Sequence, residues 1–550
     1  MIEIPVQTRI PRPVELVQQL KTDSLTGLKV LFINMPLRES ARPNIPPQGP
    51  GLLAARLRLY GAEPTIIDLN AYRIQDKVAE AQGLPYGRHI TLDETRGLLA
   101  RHLHKYGEPR IIALSGMITT LRWQERIVDM CRSLVPDAFI ISGGGLATDV
   151  KAGLFQWMPE LDAIAHSEGD DVILILAHGV KTGTLDESSP YCVGAQNGRL
   201  RFLFAGDRPE NLDELPFAAW DLFHEDVDGN AVFEWYIQTP VWGGSANNSS
   251  ATPFSMERSL TTVSSRGCPY ACGFCDRQAQ GERNYGMRDA SNMVREAEWL
   301  VDTYHIDFLG FPDDNFAVDP RRVRKLPEAF AHLGGLRWGT HTRLDEIDAR
   351  AFDMAKSGCI YIGVGAESAA VRTLESMNKG GFILRPRGSK ENQLTHINGF
   401  FFPTTMVRGI ETAQKAGIHV NCTWIMAYPE ETLEDLKTSV AFILWQEESL
   451  PRSAVNRKMF VATAYPGTEM FRHPKVQRLI SEHFGVHYQG NGVPIADDAF
   501  RAYLLELDDA TKVMYGRDGA PLNFGEMSDD MFLQAQEHLN ADQIEKILDM

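Results

Sequence analysis

A chain of 550 residues is longer than one hydrophobic core organises, so two or three domains are expected. With 43% hydrophobic and 23% charged residues, and no apolar run near the roughly 18 residues that span a bilayer, it reads as a soluble globular protein. A net charge of −17 argues against nucleic acid or an anionic membrane as partner, but leaves room for a local basic pocket for an acidic small molecule.

The first twenty residues mix acidic and basic side chains around no apolar segment, unlike a secretion signal. Seven cysteines are few and odd in number, so a reducing cytoplasm is the expected setting. After an N-terminal arm (1–27), LKVLFINMP (28–36) reads as a buried parallel strand. A helix (49–62), a strand (63–70), a third strand (110–117), a helix (121–135) and a strand running into glycines (138–145) follow. A short strand and helix over 161–179 complete the pattern. This alternation predicts a doubly wound, Rossmann-like domain over 28–180.

Residues 181–255 are turn-rich and read as a linker. From 256 to 466, strands at 260–267, 306–313, 336–342, 359–368, 418–428 and 457–466 alternate with helical stretches such as 290–304. Six such units predict a partial (β/α)6 barrel. The remainder, 467–550, is expected to be mostly helical and carries no chemical motif. The fold class is therefore α/β throughout.

One short loop concentrates the chemistry. In RGCPYACGFCDR (266–277), Cys268, Cys272 and Cys275 are spaced three and then two residues apart. A structural zinc ion takes four protein ligands, and the loop has no fourth. Three thiolates suit an iron–sulfur cubane that keeps one iron open. Gly267 and Gly273 let the backbone approach such a group.

CPYACGFC resembles the CxxxCxxC loop of radical S-adenosylmethionine (SAM) enzymes. The resemblance implies a [4Fe–4S] cluster on the three cysteines, with SAM on the open iron and Phe274 before the third cysteine. FLGFPDDNF (308–316) resembles the second-strand segment near the SAM amino group, which makes Asp313 and Asp314 candidates. IYIGVGAES (360–368) resembles the later strand that contacts SAM, through Glu367. YPGTEMF (465–471) resembles the segment that closes the catalytic domain. Each has a plain structural alternative: solvated aspartates at a strand end, or a glutamate capping a helix.

An α/β block ahead of such a domain resembles the cobalamin-binding subgroup. The DxHxxG loop of ordinary cobalamin domains is absent. Ser115-Gly116-Met117 stands in the SxL place, and Gly144-Gly145 follows after 26 intervening residues, 118–143. The resemblance implies cobalamin held without a protein histidine on cobalt, its nucleotide tail beside Ser115, Met117, Gly144 and Gly145. SEGDD (167–171) resembles the subgroup's GEGE segment, which makes Glu168 a candidate. His102, His104 and His166 read as surface or core residues. A flavodoxin-like domain without ligand is the bland alternative.

The resemblance, spanning about 28 to 470, implies a cobalamin-dependent radical SAM methyltransferase. SAM cleavage would yield a radical that takes hydrogen from an unactivated centre, and methyl would pass from SAM through methylcobalamin. It also implies an electron donor such as flavodoxin or ferredoxin. Residues 379–407 read as an insertion without helix or strand period. They hold Arg385, Arg387, Lys390 and His396, a basic island in an acidic chain that points to an acidic substrate unless it is merely solvated. The specific expectation is P-methylation of an N-acetylated phosphinate amino acid, as in phosphinothricin-type antibiotic pathways. Carbon methylation of a pyrrole, sugar, carbapenem or peptide, a cobalamin-containing cyclase or rearrangement enzyme, and a non-enzymatic cobalamin sensor stay open. No residue is singled out as an acid, base or nucleophile.

Overall fold

In the computed structural model, which describes residues 12–36, 45–74, 90–238, 256–276, 285–449, 455, 457–507 and 512–550, two compact units form. The first is Met1–Trp235 with Ile495–Asp508; the second is Tyr236–Pro494 with Asp509–Met550.

The first unit is built on seven strands: β1 (Lys29–Asn34), β2 (Glu63–Asp68), β3 (Ile111–Ser115), β4 (Phe139–Gly143), β5 (Ala163–Ser167), β6 (Cys192–Gln196) and β7 (Arg199–Gly206). Their order is β2-β1-β3-β4-β5-β7-β6, parallel except for β6. Val30 to Ile33 are all buried, because helices in the connections cover both faces of a parallel sheet. These helices are α1 (Gln48–Arg58), α2 (Leu92–Tyr106), α3 (Leu121–Leu134), α4 (Gly145–Val150) and α5 (Asp170–Thr182). Thr91 and Glu94 form a reciprocal cap that fixes the start of α2. The strand order reverses between β1 and β3, and α/β sheets open their ligand crevice at such a point, beyond the carboxyl ends of the strands.

The linker expected at 181–255 is partly sheet. β6 and β7 form a hairpin around Asn197 and Gly198, whose φ angles of 54° and 75° suit the tight turn that matches strand twist. The apolar residues of β7 then extend the sheet beside β5.

The second unit holds the six-stranded parallel sheet of a partial barrel: β8 (Ser259–Thr261), β11 (Phe308–Phe311), β12 (Arg337–Thr342), β13 (Cys359–Glu367), β16 (His419–Met426) and β17 (Met459–Val461), side by side in chain order. Two small antiparallel pairs are added, β9 (Ser265–Arg266) with β10 (Gly286–Met287), and β14 (Leu394–Ile397) with β15 (Phe400–Pro403). Helices α6 (Ala290–Tyr304), α7 (Pro320–Ala329), α8 (Arg350–Lys356), α9 (Val371–Ser376), α10 (Thr404–Ala416) and α11 (Leu433–Ser449) lie between the strands. The supposed aperiodic insertion therefore contains a hairpin, turned at Asn398-Gly399, and the first turn of α10. Phe402 of that hairpin packs edge-on against Phe442 of α11, which anchors it.

The C-terminal stretch is helical, as expected, at α12 (Pro474–Phe484), α13 (Asp498–Leu504) and α14 (Asp529–Asn540). Helix α13 belongs to the first unit. Arg501 there grips Glu125 with two bonds of 2.5 and 2.6 Å, and Phe500 meets Trp157. Among the described residues no helix is long and apolar enough to cross a membrane.

Candidate active site

The cysteine loop leaves β9 at Gly267, whose φ of 75° turns the chain across the carboxyl end of the barrel sheet. Three bonds hold it. Gly273 donates its N–H to Met377 O at 2.8 Å, Met470 N–H reaches Gly273 O at 2.8 Å, and Asn378 Nδ2 reaches Ala271 O at 2.7 Å. A Cβ on Gly273 would sit 2.8 Å from the Tyr428 hydroxyl, so any larger residue there requires that ring to shift. The YPGTEMF segment thus does return to the loop, through Met470.

Two of the thiols have side-chain donors beside them. Arg343 Nη1 lies 3.8 Å from Cys272 Sγ, and Asn315 Nδ2 lies 4.0 Å from Cys268 Sγ. Arg343 is buried, stacks 3.9 Å over the Tyr270 ring and pairs with Asp345 at 2.9 Å. The Tyr270 hydroxyl donates to Glu346, whose carboxyl is pushed up by burial and by the charge of Asp345. Burial also pushes the Cys268 thiol up. Among the described residues no three His, Cys, Asp or Glu side chains converge on a point that would hold one metal ion. Three thiols spread along a loop, with a cation and an amide behind them, fit an iron–sulfur cluster better than a zinc ion.

The expected SAM residues divide. Glu367 ends β13 in a left-handed conformation, φ 64°, and is buried. Lys379 Nζ meets its Oε1 at 3.1 Å and also lies 5.5 Å over the Phe274 ring. Phe274 is edge-on to Tyr428. Asp314 is exposed beyond the end of β11. Asp313 departs from expectation. It is buried and points away from solvent into the fold, accepting from Ser264 N at 2.7 Å, Ser264 Oγ at 2.5 Å and Ser265 Oγ at 2.6 Å, with Arg322 4.0 Å away. Its carboxylate is used up in tying β11 to the segment before the cysteine loop.

In the first unit, Ser115 and Gly143 are register partners at the carboxyl ends of β3 and β4. Met117 follows, half exposed. A bonded chain from Ser142 through Gln124 and Thr120 to Met117 O fixes this loop. Gly144 has φ 88°, and a Cβ on it would fall 2.7 Å from Gly116 O, so chain-to-chain contact already requires this glycine. The open face belongs to Gly143, where a Cβ would meet only Ala165 O at 3.9 Å. Gly145 rests at ordinary distance from Met117. Glu168 follows Ser167, itself left-handed at φ 66°, and leads into α5. This edge, bare of side chains at Gly143 and flanked by Ser115 and Met117, fits a large planar cofactor with a buried tail. His166, at the end of β5, is half buried and held neutral by burial, its ring pushed down to about 4.

The basic island is less basic than its sequence implies. Arg385 pairs with Glu375 at 3.3 Å, and Arg387 lies 5.5 Å over the Phe382 ring. Arg387, Lys390 and His396 are exposed. Arg343, Asn315, Lys379 and Tyr428 carry no signal in the sequence, since each reaches the loop only through the fold.

A sequence model of the radical SAM superfamily matches residues 262–443. Over 464 residues the chain is 22% identical to an uncharacterised methyltransferase of Pyrococcus horikoshii, covering 82% of this chain and 84% of the relative. Over 483 residues it is 26% identical to the cytidylyl-2-hydroxyethylphosphonate methyltransferase of Streptomyces wedmorensis, covering 81% of each. Its fold is similar to that of the radical SAM methyltransferase TsrM from Kitasatospora setae, a structure with cobalamin and a [4Fe–4S] cluster bound. The TM-score is 0.59 at 15% identity, covering 93% of this chain and 90% of the other.

Proposed function

We propose that the protein is a cobalamin-dependent radical SAM methyltransferase whose substrate is a small phosphorus oxyacid, with P-methylation of an N-acetylated phosphinate amino acid as the specific reaction. The observation that carries the reading is the three-thiol loop at the head of a radical SAM sheet, in a chain whose first unit offers an open glycine edge at Ser115 and Gly143. When bound, a [4Fe–4S] cluster supplies the electron that cleaves SAM, and cobalamin carries the methyl group.

The chain's own residues hold and orient. Cys268, Cys272 and Cys275 would anchor the cluster, and Glu367 with Lys379 would accept polar groups of SAM. Ser115, Met117, Gly143, Gly145 and Glu168 would border the cobalamin. Arg387 and Lys390 would draw an oxyacid to the domain; a likeness to a phosphonate methyltransferase over most of both chains supports that class. A flavodoxin- or ferredoxin-type donor would reduce the enzyme. The test is anaerobic incubation of reconstituted protein with trideuteromethyl SAM and the N-acetylated phosphinate. Product three deuterons heavier at phosphorus, with 5′-deoxyadenosine and S-adenosylhomocysteine both formed, is expected. Active SAM cleavage with no methylated phosphinate or phosphonate would remove the substrate class and leave the enzyme class standing.

A further inference from the structure

We propose that Arg343 sets the reduction potential of the cluster carried by Cys268, Cys272 and Cys275, with Asp345 offsetting its charge; this rests on the cluster in the reading above. Arg343 Nη1 is 3.8 Å from Cys272 Sγ, the position from which a donor bonds a cluster thiolate. Its other bonds leave it little freedom. The guanidinium stacks 3.9 Å over Tyr270, two residues before Cys272, bonds Asp345 through Nε at 2.9 Å, and reaches Lys379 O at 3.3 Å. The loop, the end of β12 and the turn after α9 therefore all hold this one cation.

Reduction adds one negative charge to the cluster; one electron enters from dithionite or a flavodoxin-type donor, no bond breaks and no proton moves. A buried cation beside a ligand thiolate favours the extra charge, and a thiolate that accepts a hydrogen bond is a weaker donor to iron. Both raise the potential. Asn315 adds a neutral N–H at Cys268, so charge distinguishes Arg343. Asp345, whose side chain is nearly excluded from water, takes back part of the field. The pair gives opposite predictions for its two members.

The experiment is an anaerobic EPR-monitored dithionite titration of the reconstituted full chain without SAM. Arg343→Met should shift the cluster's reduction equilibrium at least tenfold toward the oxidised form, about 59 mV more negative for one electron. Asp345→Asn should shift it the other way. Arg343→Lys, which keeps the charge and loses the fork, should fall between wild type and Arg343→Met. If Arg343→Met takes up no cluster, Arg343→Lys and Asp345→Asn decide the matter. Equal potentials across the variants, or shifts of one sign in both Arg343→Met and Asp345→Asn, would overturn the inference. A wild-type protein that takes up no cluster would instead overturn the reading it rests on.

Discussion

Lys379 Nζ stands 3.1 Å from Glu367 Oε1, with both side chains nearly excluded from water. The two residues come from different places: the left-handed end of β13 and the turn after α9 whose Met377 O and Asn378 clamp the cysteine loop. A buried ion pair is costly to break from one side only. Lys379→Met should therefore destabilise the second unit by about 3 kcal/mol. The double variant with Glu367→Gln should recover much of that, while SAM affinity falls in every variant. Thermal melts and SAM binding across the four-protein cycle check this. Additive losses would show that the pair is not coupled.

Asp313 and Asp314 are neighbours in opposite surroundings, one buried and one exposed. Asp313→Ala leaves three buried donors and the buried Arg322 charge uncompensated, a loss on the order of 3–5 kcal/mol. It should lower the yield of folded protein and its iron content together. Asp314→Asn, at an exposed position, should leave the melting temperature unchanged. Melting curves and iron analysis of the two variants check this difference between the buried and the exposed aspartate.

At the first sheet's edge, two adjacent glycines should respond differently. Gly144→Ala forces a side chain into φ 88° and against Gly116 O, so it should lower stability whether or not cobalamin is present. Gly143→Ala has room for its Cβ and should fold normally, yet retain less cobalamin after desalting. Undiminished retention in folded Gly143→Ala would move the cofactor away from this edge.

Glu431 gives a pH signature. It is fully buried; its Oε2 accepts the Ala427 N–H at 2.6 Å while Oε1 has no hydrogen-bond partner, and burial pushes its carboxyl up to about 8. The folded chain thus keeps a proton that the unfolded chain releases near 4.5. This group's contribution to stability is full below the lower value and is lost as pH rises through the higher one. Glu431→Gln should raise the melting temperature relative to wild type increasingly from pH 5 to pH 8.5. A difference that stays constant across that range would contradict the buried acid.

Much of the architecture is legible because local patterns carry it. The apolar runs at 28–36 and 359–368 mark buried parallel strands, and the cysteine spacing marks the loop. Two hairpins carry an Asn-Gly turn, Asn197-Gly198 and Asn398-Gly399, yet give little strand signal, because the strands on either side are only four to eight residues long. The site was only half legible for a different reason. Asp313 resembles a ligand because its serine partners lie 48 and 49 positions away. Arg343 gave no signal at all, since it is 71 positions from Cys272 and only the order of β8, β11 and β12 brings them together.

The claim that organises the rest is that Cys268, Cys272 and Cys275 hold a [4Fe–4S] cluster that drives SAM cleavage. It is tested most directly by anaerobic reconstitution of wild type and the triple Cys→Ala variant, followed by dithionite and SAM, with 5′-deoxyadenosine measured beside iron and sulfide. Wild type should bind four irons and four sulfides per chain and form 5′-deoxyadenosine. The triple variant should do neither while keeping its fold and its cobalamin. A triple variant that retains the iron and still forms 5′-deoxyadenosine would contradict the account.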